Sequence, residues 1–114
     1  MTYARNPQFI CVIVYLHSPK EKYWGILHRN SPTGVWLSGI DLKTLEDWIQ
    51  RWSAESGTVP MLATTFFPMH RVEKITLDET IGEIPSLMDT LLGRLGRDIA
   101  ELLPAPFILP GDIQ

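Results

Sequence analysis

Three histidines and one cysteine are the side chains of this chain best suited to bind a metal ion. His17, His28 and His70 form no His-x-His pair, and Cys11 belongs to no Cys-x-x-Cys pair, so the short ligand spacings of zinc sites do not occur. If the first hairpin turns near Lys20, His17 and His28 lie roughly 16 Å apart at about 3.3 Å per residue, too far for one ion. The sequence therefore predicts no metal site and no cofactor.

For the groups that could act as a nucleophile or as an acid–base pair, the neighbouring residues give no indication of catalysis. Cys11 lies within an apolar run, where we expect it to behave as a small buried hydrophobic residue. The carboxylates of Glu46–Asp47 and Asp78–Glu79 are neighbours in sequence and so point in different directions. We expect the first pair on a solvated helix face and the second near the start of a helix. With no glycine-rich phosphate loop and no Ser-His-Asp pattern, we predict no catalytic residue and a protein that is not an enzyme.

The elements that position these side chains follow from the hydrophobic pattern. Short β-branched and aromatic runs bounded by proline- and glycine-containing turns predict five strands. They cover Phe9 to Leu16, Tyr23 to His28, Val35 to Ile40, Met61 to Phe67 and Val72 to Leu77. If the second turn is centred near Ser31 and Pro32, Ile26 lies opposite Leu37 and Trp24 opposite Gly39. In the last strand, Val72 and Ile75 are predicted to face opposite sides.

Two amphipathic segments predict helices. The first runs from Asp41 to Trp52, with either Thr44 and Asp47 as a capping box or Asp41 as the cap. Its two tryptophans, Trp48 and Trp52, favour core or interface packing, with an aromatic binding platform as the alternative.

The second helix covers about 85–103, and Pro85 suits its first helical position. Gly93 and Gly96 weaken it by about 1 kcal/mol each relative to alanine, so the helix can break there. The tail, 104–114, is apolar and rich in proline, and we expect it to pack against a neighbour or to be poorly ordered.

The order of elements is three strands, a helix, two strands and a helix, with neighbouring strands joined by hairpins. Five short, bent antiparallel strands favour a small closed barrel, because closure removes most strand edges. At 114 residues the chain is predicted to form a single domain, 1–114, with the barrel at about 8–78.

The composition and charge of the chain indicate which class of protein it belongs to. Apolar residues make up 45% and charged residues 20%, which is typical of a globular protein, and the net charge of -3 offers no electrostatic footprint for nucleic acid. One cysteine permits no internal disulfide, the N-terminus lacks the pattern of a secretion signal, and the first apolar run is too short to span a bilayer. We therefore predict a cytoplasmic protein without membrane contact.

Two stretches carry a resemblance to a known family. Val12 to Leu16, Trp24 to Leu27 and Gly34 to Gly39 resemble the first Sm motif, with a Gly-x-Leu on a bent second strand. Phe66 to Ile75 resembles the second Sm motif, a strand, a tight corner and a short final strand. The segment Phe66-Phe67-Pro68-Met69-His70-Arg71-Val72-Glu73-Lys74-Ile75 is also similar to the signature of an uncharacterised bacterial family.

The resemblance implies a five-stranded Sm-like or SH3-like antiparallel barrel that forms rings by pairing its fourth and fifth strands between subunits, often around single-stranded RNA. The chain departs from the family where RNA is bound. Asn30-Ser31-Pro32-Thr33 replaces the Asp-x-aromatic-Met-Asn turn, and Pro68-Met69 replaces the Arg-Gly pair.

Two hypotheses follow from these patterns. In the first, the protein is a non-enzymatic Sm-like module that forms a homo-oligomer and serves as a scaffold or binds RNA through Asn30, His70 and Arg71. His70 has the alternative role of a turn residue that satisfies backbone groups. In the second, an SH3-like barrel binds a protein partner through either helix. The candidate interface residues are Trp48, Trp52, Phe66 and Phe67.

Overall fold

The computed structural model of the chain describes residues 9–54 and 62–96, and of residues 51–54 and 95 only the backbone. The predicted order of elements is confirmed within these ranges. The elements are β1 (Ile10–Leu16), β2 (Glu21–Ser31), β3 (Gly34–Asp41), α1 (Leu42–Ala54), β4 (Ala63–Pro68), a 3-10 helix (Met69–Arg71), β5 (Val72–Leu77) and α2 (Leu87–Leu95). The 3-10 helix is named the 3-10 corner below. The predicted tail, 104–114, and the second half of the predicted second helix lie outside the described residues.

The five strands form one antiparallel sheet in the order β4-β3-β2-β1-β5. The strands at its two ends, β4 and β5, are joined by the three residues of the 3-10 corner. In a flat sheet these strands would be about 19 Å apart, four spacings of about 4.8 Å. The four steps from Pro68 to Val72 span at most about 14 Å, so the sheet must curl. Its ladder of paired strands does not close between β4 and β5 within the described residues.

Each face of the sheet packs into its own apolar cluster. The inner cluster comprises Val12, Val14, Leu16, Leu37 and Phe67, with Val72 and Ile75 packed against it. Since this cluster combines residues of β4 and β5, which lie at opposite ends of the sheet, the sheet wraps around it. The helix-side cluster comprises Cys11, Trp24, Ile26, Ile49, Leu62, Met88, Leu91 and Leu92. Both helices therefore cover the outer face of the curled sheet.

The register of the second hairpin differs from the predicted one. Leu27, not Ile26, lies opposite Leu37, and Trp24 lies opposite Ile40 rather than Gly39. Two local features cause the shift: Pro32 and Thr33 form the turn, and the pairing slips between Leu27 and Arg29. The slip leaves one extra residue in β2, and hydrophobic alternation does not report such bulges.

A second slip in strand pairing changes the face of β5 on which Val72 lies, so the predicted faces of β5 were wrong. Tyr15 pairs with Lys74, but the next residue, Leu16, pairs with Val72, so Glu73 is an extra residue. The extra residue returns Val72 to the side occupied by Ile75, and both pack against the inner cluster.

Glycine allows close backbone approach at one central point of the sheet. Gly25 and Gly39 are directly paired, and a Cβ added to Gly25 would overlap the backbone of Ser38 and Gly39. At a second glycine, Gly34, the ring of Phe66 fills the space that a Cβ would need.

The helices begin and end at specific caps. Asp41 caps α1, since its Oδ1 accepts a hydrogen bond from the Lys43 backbone N–H at 2.8 Å. This matches the second of the two predicted caps. Ser86 caps α2 by accepting from the Asp89 N–H, so Pro85 lies before the helix rather than at its first position. Gly96, in the left-handed conformation (φ 66°), ends α2. Across the two described ranges, no helix is long and apolar enough to span a bilayer.

Candidate functional site

The 3-10 corner, which carries two of the candidate ligand residues, is held between two turns. The Met69 N–H donates to the carbonyl of Thr33 in the β2–β3 turn at 2.9 Å, and the His17 N–H in the β1–β2 turn donates to the carbonyl of Arg71 at 3.0 Å. The corner thus ties one end of the curled sheet together.

The Arg71 side chain reinforces the same junction. Its guanidinium donates to the carbonyls of His17 (3.3 Å) and Pro19 (2.8 Å) and to the Glu21 carboxylate (3.0 Å). The side chain is 25% exposed. Three acceptors fix the planar guanidinium over the β1–β2 turn, so Arg71 has a structural task whatever else it contacts.

The three candidate ligand residues, Asn30, His70 and Arg71, do not converge on one site. His70 is exposed within the corner, next to Arg71, whose guanidinium turns toward Pro19 and Glu21. Asn30 is exposed but belongs to strand β2, where it pairs with Val35, and it is not part of the turn. His70 and Asn30 therefore present polar side chains to solvent near the Thr33 turn, while Arg71 points to the other turn.

The candidate interface residues occupy different environments. Phe66 is 36% exposed and lies 5.1 Å from the ring of Trp36. Phe67, the next residue of β4, is buried in the inner cluster, against Tyr23. Trp48 packs against the helix-side cluster, and the side chain of Trp52 lies outside the described residues. Phe66 is thus the candidate that reaches the surface of a strand edge.

Asp78 is a buried acidic residue, and the sequence did not indicate how many hydrogen-bond partners it has. It follows β5 directly, is 4% exposed, and accepts hydrogen bonds at 2.8–2.9 Å from the Trp24 indole N–H and from the backbone N–H groups of Leu87 and Met88. The Cys11 thiol also approaches it, at 3.5 Å. A carboxylate at the first turn of α2 offsets the partial positive charge of that helix end. Asp78 therefore joins the sheet to α2, consistent with the expectation that it lies near a helix start.

A second, partly buried chain of polar side chains links three strands. Ser38 Oγ lies 2.6 Å from His28 Nε2 and 2.7 Å from Thr64 Oγ1, which connects β2, β3 and β4. Burial lowers the pKa of His28 below its ordinary value of 6.5. Ile26 pairs with Ser38, and His28, two residues further along β2, lies on the same face of the strand, so its ring points to the side of Ser38.

The outer edges of β4 and β5 are the remaining surface features. Each strand pairs on one side only among the described residues. The sequence of β4, Ala63 to Pro68, contains no charged residue, whereas β5 carries Glu73 and Lys74 and ends in Leu77, which is 61% exposed. Edges without charge are the ones most suited to pair with another strand.

Within residues 9–54 and 62–96, no three His, Cys, Asp or Glu side chains converge closely enough to hold a metal ion. Comparisons of the chain with models of known protein families, with curated proteins and with solved structures found no match.

Proposed function

We propose that this protein is a non-enzymatic Sm-like barrel module that assembles into homo-oligomers by pairing the outer edge of β4 with the outer edge of β5 in the next copy. The uncharged outer edge of β4 carries the proposal. Natural proteins usually protect an edge strand with charged side chains, proline or a covering element. β4 has no charged side chain, and its one proline, Pro68, is its last residue.

The shape of the sheet supports this mode of assembly. The strand order places β4 and β5 at opposite ends, and the 3-10 corner brings their linked ends close together. A contact between two different edges is head-to-tail, and such contacts produce a closed ring when the rotation between copies closes. Pairing would also cover part of Phe66, which is exposed at the β4 edge.

The experiment that tests this proposal is the solution mass by size-exclusion chromatography with light scattering. We expect a mass several times that of the 13.0 kDa chain. Thr65→Lys places a charge on an exposed position of β4 and should shift the mass toward that of a single chain, because a buried ammonium opposes strand pairing.

Gln50→Lys is the matched control. It adds the same charge at an exposed position of α1, away from both edges, and should leave the mass unchanged. A wild-type protein of single-chain mass at the highest concentration tested would refute edge assembly.

Single-stranded RNA is the ligand that the resemblance suggests for such an assembly. The exposed side chains of His70 and Asn30 are the ones that would contact it, since Arg71 is held by the β1–β2 turn. Fluorescence anisotropy with a labelled mixed-sequence RNA at two salt concentrations tests this part. We expect the double substitution Asn30→Ala and His70→Ala to weaken binding, and an unchanged affinity would remove these residues from the proposal.

A further inference from the structure

All four lysines of the chain, Lys20, Lys22, Lys43 and Lys74, line one open cleft of about 690 Å³. They come from the β1–β2 turn, β2, the start of α1 and β5, so the fold gathers them from distant positions in the sequence. The chain as a whole has a net charge of -3, so the clustering of all its lysine ammonium groups on one surface does not follow from its overall charge. We name this surface the lysine cleft; its other lining residues are Tyr15, Leu16, Glu21, Asp41, Leu42 and Glu73.

Two of the lysines are positioned by an aromatic ring. Tyr15 of β1 pairs with Lys22 of β2 on one side and with Lys74 of β5 on the other, so the three side chains form one row across the sheet. The two ammonium nitrogens lie 5.4 Å and 4.7 Å from the centre of the Tyr15 ring. They are therefore within about 10 Å of each other, and both lie within the distance of about 6 Å at which an aromatic ring attracts a cation.

The cleft contains three carboxylates, one fewer than its ammonium groups, and two of them have other partners. Glu21 accepts from Arg71, Asp41 accepts from the backbone N–H of Lys43, and the third carboxylate is that of Glu73. Among the residues that the structure describes, the ion pairs involve arginine and no lysine. The four ammonium groups thus remain available for a ligand of opposite charge.

The first residues of α1, Leu42 and Lys43, also line the cleft. The Asp41 carboxylate that caps this helix offsets the partial positive charge of its N-terminal end, so the lysines supply the positive charge of the cleft. The volume of the cleft lies within the range of about 300–1,000 Å³ that is usual for small-molecule sites.

We propose that the lysine cleft binds a small phosphorylated anion, a pyrophosphate group that is either free or at the end of a nucleotide. Lysine contacts phosphate as a point charge, and several ammonium groups around one cavity favour a ligand with several negative charges. Lys22 and Lys74 would contact it from both sides of Tyr15. All lining residues of the cleft belong to one copy of the chain, so ligand binding does not require the proposed assembly, although Lys74 lies in β5, whose outer edge that assembly uses.

Isothermal titration calorimetry of the full chain with sodium pyrophosphate, and separately with ADP, tests the proposal. We expect binding that weakens with added sodium chloride, as it does for exposed charges. The single substitution Lys74→Gln should weaken binding about tenfold, the cost of one charge-assisted hydrogen bond, and Lys22→Gln together with Lys74→Gln more than that. Shifts in the NMR signals of the lysine ammonium groups on addition of pyrophosphate provide a second readout.

Arg94→Gln is the matched control, because it removes one positive charge from an exposed ion pair with Glu46, outside the cleft. It should change the affinity less than twofold. Equal affinities for pyrophosphate and ADP would identify the phosphates as the recognised group, and tighter binding of ADP would identify a nucleotide. Absence of binding by both ligands at millimolar concentration, or an equal effect of Arg94→Gln and Lys74→Gln, would refute the proposal.

Discussion

Two charged side chains, Asp78 and Arg71, each hold several parts of the fold together, and they do so in different surroundings. Asp78 is 4% exposed and accepts from the indole of Trp24 and from the first turn of α2. Arg71 is 25% exposed and donates to two carbonyls and one carboxylate at the β1–β2 turn. Each makes at least three hydrogen bonds, yet water can replace the partners of Arg71 far more easily than those of Asp78.

This difference shows that the number of hydrogen bonds is a poor measure of what a polar side chain contributes. A buried donor that loses its partner bears the full cost of desolvation, about 1–3 kcal/mol. A partly exposed donor or acceptor turns to water instead. Burial therefore ranks the polar interactions of this protein, and the predictions below test that ranking.

The largest effect is expected from Asp78→Ala. The change leaves the Trp24 indole and two backbone N–H groups of α2 buried without an acceptor, and we expect a loss of about 3–5 kcal/mol in the free energy of unfolding. Urea unfolding followed by tryptophan fluorescence measures it. Glu79→Ala, the exposed neighbour, is the control and should change the free energy by less than about 0.5 kcal/mol. Equal effects of the two substitutions would contradict the role of burial.

A smaller effect is expected from Arg71→Ala. The three lost hydrogen bonds are partly exposed, so the free energy of unfolding should fall by about 1–2 kcal/mol. His70→Ala, at the neighbouring exposed position, should have little effect on the same urea curve. A loss with Arg71→Ala as large as that with Asp78→Ala would contradict the ranking of these interactions by burial.

A pH-dependent effect is expected from His28, whose pKa is lowered by burial from the ordinary value of 6.5. Below that pH the unfolded chain binds more protons than the folded one. The contribution is fully present above pH 6.5 and is lost as the pH falls through the lowered pKa of the folded state. Urea curves between pH 7.5 and 5 should show a drop in stability that is smaller in His28→Gln. The exposed variant His17→Gln should retain the wild-type slope, and an identical slope in His28→Gln would contradict this assignment.

The smallest effect is expected from the ion pair between Arg94 and Glu46, which joins α2 to α1 at 3.0 Å. The two side chains are 43% and 62% exposed, so a double-mutant cycle with alanine should give a coupling below about 0.5 kcal/mol that declines with salt. A coupling above 1 kcal/mol would show that exposure alone does not set the ranking.

Much of the fold was predictable, because local patterns report local structure. The run Val72–Leu77 is the predicted strand with the predicted bounds. Leu42, Leu45 and Ile49, which follow one another at helical spacing, form the inward side of α1. The register of the paired strands was harder to predict from the sequence. A single extra residue, such as the one between Leu27 and Arg29, moves every later side chain to the other face, and nothing in the alternation of hydrophobic residues announces it.

The candidate site was predictable only in part, for a related reason. His70 and Arg71 lie at the expected corner, but the direction of the Arg71 guanidinium depends on the β1–β2 turn, about fifty positions earlier in the chain. The partners of Asp78 are equally distant, since Trp24 lies in β2. Such contacts are made by topology, and spacing along the chain carries no signal for them.

By itself the sequence determined the type and order of the elements, because apolar periodicity and the turn-forming Pro and Gly residues act over a few residues. It also determined which residues are charged. Only the tertiary structure decided what those charges do. The curl of the sheet and its two bulges set which distant side chains meet, and they place Asp78 under α2 and Lys22 and Lys74 on either side of Tyr15.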